Sequence, residues 1–77
     1  MTAAVIAWMT AIQGLMAVAP DVIVFAAKVK GWIGDMFMAG LISAEAQDAL
    51  HARVGAICAA TLNNQLPPAW QVEPDPE

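Results

Sequence analysis

No Asp, Glu, Lys or Arg occurs before Asp21, and Pro20 stands directly in front of it. Twenty residues without a charged side chain reach the length at which a helix can cross a bilayer. The opening segment must therefore enter a membrane or be covered by other helices. Its many alanines, far less hydrophobic than leucine, favour the second outcome. Nothing basic precedes the apolar stretch, and Ala17-Val18-Ala19 runs straight into Pro20, so it does not read as a secretory signal.

Residues 3–19 are expected to form a first helix. Val5, Trp8, Met9, Ile12, Leu15 and Met16 recur at three-and-four spacing and gather the large side chains on one side. Ala3, Ala7, Thr10, Gly14 and Ala17 repeat the spacing on a second side where every residue is small, a surface that permits close approach of another helix. Pro20 breaks the backbone ladder, because it has no N–H and its ring clashes in a helix interior. It suits the start of a new helix, with Asp21 in the first turn against the positive end of the helix dipole. A tight corner near Ala19 is preferred over one long kinked helix.

The second helix should span 21–38, with Val22, Phe25, Val29, Trp32, Ile33 and Met36 as its bulky stripe and Lys28, Gly31 and Asp35 on the leaner side. The run Val22-Ile23-Val24-Phe25 also suits a strand, but no second strand is available to pair with it. Gly40 is placed to end this helix in a left-handed conformation. Ser43 can cap a third helix over 44–62, with Ile42 packing back onto its first turns and Glu45 and Asp48 near its positive end. Its stripe of Ala46, Leu50, Val54 and Ile57 weakens at Thr61. Asn63-Asn64 should close that helix, and Pro67-Pro68 prevent its resumption.

The sequence thus predicts an all-α chain: one helical domain over 1–62 and an extended, Pro-rich acidic tail over 63–77. With 77 residues only one small core is possible. The formal charge of −4 is concentrated in the tail, where Glu73, Asp75 and Glu77 contribute −3, leaving −1 for residues 1–62. Three scattered basic residues make no concentrated basic face, so nucleic-acid binding is not expected. Trp70 stands out in the tail, a large aromatic that the Pro-Pro segment can lay across its own bundle or a neighbouring subunit.

The chemistry-bearing residues do not assemble into a site. His51 and Cys58 lie seven positions apart, about 10 Å along a helix axis, too far for direct deprotonation of the thiol. Cys58, the single cysteine, is flanked by Ile57, Ala59 and Ala60 and reads as a small buried hydrophobe. Glu45, Asp48 and His51 drift around the helix, so that at most two can reach one ion, and a solvated polar face accounts for them. Gly31, Gly34 and Gly40 do not form a phosphate loop. No catalytic, cofactor or metal residues are assigned, and the chain is expected to be non-enzymatic.

What remains is surface. Apolar residues make up 60% of the chain and charged ones 13%, and the first two helices are apolar over more of their circumference than one bundle core can use. Trp8, Ile12, Gly14, Phe25, Trp32, Ile33, Phe37 and Trp70 are the candidate interface residues. The leading expectation is a small structural subunit that packs against copies of itself in a homo-oligomeric or virion-like assembly, in the cytoplasm or within that assembly. The alternatives are a small membrane protein with residues 1–19 inserted, as a pore former or accessory subunit, and a soluble helical adaptor.

Overall fold

The computed structural model describes residues 2–72 and contains three helices and a short 3-10 turn, with no strand among those residues. Helix α1 spans Ala3–Val18, α2 Val22–Met38, α3 Ala44–Asn64, and the turn η1 covers Pro68–Trp70. The chain is all-α, as its periodicity predicts. Residues 73–77, the most acidic part of the expected tail, lie outside the described residues.

Each boundary has a local cause. Thr2 caps α1, its Oγ1 accepting the Val5 N–H at 3.3 Å. Ala19, which precedes Pro20, is extended at φ −66°, ψ 135°, because a following proline disfavours the helical region. Helix α1 therefore stops at Val18, one residue earlier than expected, and the chain turns a corner. Asp21 is not in the first turn of α2 but caps it from outside, Oδ1 accepting the Val24 N–H at 3.1 Å. Pro20 accordingly precedes the cap and does not open the helix.

Gly40 ends α2 as expected, at φ +76°. The Leu41 N–H donates to the Met36 carbonyl at 2.9 Å and the Gly40 N–H to that of Phe37 at 3.0 Å, the paired bonds of a Schellman closure. Ser43 then caps α3 through the Ala46 N–H at 3.1 Å, and half-buried Ile42 packs on the core. Gly40→Ala is expected to cost about 1–2 kcal/mol, since a Cβ is strained in the left-handed region. Gly14→Ala should instead stabilise the chain by about 0.5–1 kcal/mol, because a Cβ there meets nothing within 4 Å and glycine weakens a helix interior. Thermal midpoints shifting in opposite directions would verify the pair.

The helices run up, down and up. His51 Nε2 lies 3.4 Å from the Lys30 carbonyl oxygen, and the Cys58 thiol lies 4.0 Å from that of Val22, so α3 climbs as α2 descends. Thr2 shares a crevice with Ile42 and Ser43, and Gln13 accepts from Arg53 Nη2 at 3.4 Å, so α1 and α3 are parallel. The closest partnership is α2 with α3, and α1 packs less extensively on both.

The core consists of Met9, Ile12 and Met16 from α1, Val22, Ala26, Val29 and Ile33 from α2, and Leu50 and Val54 from α3. Each contribution follows three-or-four spacing, as one buried stripe per helix requires. No polar side chain is buried among the described residues. Burying the larger of these side chains stabilises the fold by roughly 1.5–3 kcal/mol each before entropy is charged. The domain is thus held by a short apolar seam.

Candidate interaction surface

Once that seam is closed, much apolar surface is left outside. On α1, Ile6, Leu15 and Val18 are exposed, and on α2 so are Ile23, Val24, Trp32, Phe37 and Met38. Leu15 shares the spacing of the bulky stripe, yet it is 54% exposed. Counted by helical angle, it falls on the flank away from Met9, Ile12 and Met16. The small-residue side of α1 (Ala3, Ala7, Thr10, Gly14 and Ala17) is exposed along its length, and only Ala17 borders the groove beside α3.

The predicted interface residues separate into groups. Ile12 and Ile33 are at most 5% exposed and belong to the core, which corrects their assignment to an interface. Both lie on the one stripe per helix that the bundle closes over. Trp8 and Phe25 are half-buried against the core. Phe25 meets Trp32 edge to face, with ring centroids 6.1 Å apart and planes at 89°, a favoured aromatic geometry. Trp32 is 43% exposed and Phe37 37%, so each has one wall in protein and one in solvent. Gly14 faces solvent and approaches no other helix.

Trp70 is 71% exposed, and it covers neither groove of its own bundle. Residues 65–72 differ from the expected extended tail because hydrogen bonds fold them back. Asn63 Nδ2 donates to the Val72 carbonyl and the Val72 N–H donates to Asn63 Oδ1, both at 2.9 Å. Gln71 Nε2 donates to the carbonyls of Leu66 at 2.9 Å and Asn64 at 3.3 Å, and the Trp70 N–H donates to that of Pro67 at 2.8 Å. Asn63 and Asn64 belong to the last turn of α3, two residues beyond its expected end.

Two grooves flank α3. The α2–α3 groove, about 410 Å³, has walls of Ile23, Ala27, Cys58 and Leu62 with Lys30 as its one charged lining residue. The α1–α3 groove, about 430 Å³, is edged by Gln13, Arg53, Thr61 and Asn64. Gly55 and the alanines open the first groove, a role that helical periodicity alone does not reveal.

Among the described residues, no group of three or more His, Cys, Asp and Glu is placed to hold a metal ion. His51 and Cys58 each approach a backbone carbonyl of α2. None of the described helices is long and apolar enough to cross a membrane. The 16 residues of α1 extend about 24 Å, short of a hydrocarbon core of about 30 Å.

Fold and surface together define a small all-helical domain with exposed hydrophobic helix faces suited to packing against protein. Comparisons with protein families, curated proteins and solved structures find no match.

Proposed function

We propose that the chain is a non-enzymatic structural subunit that associates with copies of itself through the apolar faces left outside its core. The supporting observation is the surplus of exposed surface. Outside the core, Ile6, Leu15 and Val18 of α1 and Ile23, Val24, Trp32, Phe37 and Met38 of α2 remain exposed.

Apolar residues this numerous on a small domain form the kind of patch that marks association. Repetition of such a subunit suits a closed oligomer or a virion-like shell, located in the cytoplasm or within the particle itself. Nucleic acid and cofactors have no place in this proposal.

Size separation of the full chain with and without mild detergent tests the reading. Self-assembly predicts one multi-chain species under both conditions. A species obtained only with detergent would favour membrane association, and a single chain that enlarges only with a different protein would favour an adaptor.

A further inference from the structure

We propose that Trp70 acts in trans, the turn at Pro68–Trp70 of one copy seating its indole in the α2–α3 groove of a second copy. This rests on the self-association proposed above and gives it a specific contact. The turn is already built: the Asn63–Val72 pair and the two Gln71 bonds fix it to the end of α3. Such a preorganised turn holds out a large rigid aromatic at little further cost in entropy. In its own chain the indole remains mostly uncovered.

The α2–α3 groove, about 410 Å³, offers that side chain apolar walls and one positive charge. Ile23, Ala27, Cys58 and Leu62 supply apolar walls, and at Gly55 a Cβ would meet nothing within 4 Å, so space is open there. Lys30 offers a cation to the indole face. It also offers a positive charge to the segment following Trp70, whose sequence contains Glu73, Asp75 and Glu77. The α1–α3 groove is the poorer receptor. Its rim carries Gln13, Arg53, Thr61 and Asn64, and Arg53 already donates to Gln13; an indole there would desolvate polar groups without replacing their partners.

The two halves of the contact occur at one end of the molecule. Leu62 lines the groove, and the chain enters the turn a few residues later. A two-fold axis beside the C-terminal end of α3 therefore makes the exchange reciprocal, each copy giving one Trp70 and receiving one.

Three full-length proteins test this. Trp70→Ala removes the anchor from outside the core. Gly55→Leu fills the groove while improving helix propensity. Trp8→Phe/Trp32→Phe leaves Trp70 as the single indole, with emission that reports its surroundings. Native mass against concentration should show association weakened at least tenfold in both Trp70→Ala and Gly55→Leu, with unchanged helicity. Trp70 emission should shift to shorter wavelength as the chains associate. If the parent associates but neither variant alters its curve, or Trp70 emission stays that of a solvated indole in a double variant that associates like the parent, the trans contact is refuted and self-association stands. Weakening by Trp70→Ala alone would refute the groove as receptor, and weakening by Gly55→Leu alone would refute Trp70 as the occupant. A parent that remains a single chain at every concentration would overturn both proposals.

Discussion

Under the proposed self-association, Leu15→Lys combined with Val24→Lys should yield single folded chains. Leu15 is 54% exposed and Val24 52%, and neither contributes to the buried seam. In an isolated chain, substitutions at such positions change stability by no more than about 0.5 kcal/mol. Between copies the effect is much larger, because an apolar contact is lost and an ammonium must be desolvated. A cost on the order of 2 kcal/mol at each position is typical of a well-packed interface residue. Together these weaken association by about a thousandfold. Sedimentation should show the loss of mass while circular dichroism shows retained helix. An unchanged mass would remove α1 and α2 as contact faces.

Ile33→Ala is expected to act on the fold itself. Ile33 is 0% exposed and sits in the seam with Val29, Leu50 and Val54. Truncating a buried isoleucine costs about 2–5 kcal/mol, whereas a domain this small commonly has only about 3–5 kcal/mol in total. The substitution should leave the isolated domain largely unfolded at room temperature, as a denaturant titration would record. Phe37→Ala, at a residue with one side in solvent, should cost clearly less. An Ile33→Ala chain that unfolds with the parent midpoint but no longer associates would mean that Ile33 is an interface residue after all.

The contrast between Ile33 and Leu15 shows how far this fold is legible without coordinates. Punctuation was readable because it depends on a few neighbouring atoms. Pro20, Gly40 and Ser43 each act through a missing donor, a permitted left-handed φ or a side-chain oxygen, so the corner and the closure could be placed from residue type. The strand-like run at Val22–Phe25 resolved into helix for the stated reason that it has no partner strand.

Helix phase was less legible. A helix apolar on nearly every side has no single hydrophobic direction, so choosing the bulkiest stripe captured Met9, Ile12 and Met16 but also Leu15. In α2 the stripe included Phe25, Trp32 and Met36, while the buried line passes through the smaller Ala26. Ala26 enters the core because α3 packs closely against α2, a tertiary fact that side-chain size does not disclose. The fold-back of 65–72 was also out of reach. It depends on Asn63 pairing with Val72 across nine positions, a hydrogen-bond geometry without a periodic signature.

The same distinction separates the parts of the interaction surface. Surplus hydrophobicity was visible in composition, because three stripes cannot absorb 60% apolar residues. Which residues form that surplus depended on rotation of the helices around the seam. Trp32, Phe37 and Trp70 are legible as candidates in the sequence, but only burial separates them from Ile12 and Ile33.

The decisive measurement is the light-scattering mass of the full-length chain in detergent-free buffer across a range of concentrations. The proposed covering of the apolar helix faces outside the nine-residue core by further copies predicts a defined multiple of 8.1 kDa that mild detergent leaves intact. A constant mass of 8.1 kDa, with the chain folded and Leu15, Val24 and Trp70 in contact with water, would contradict it.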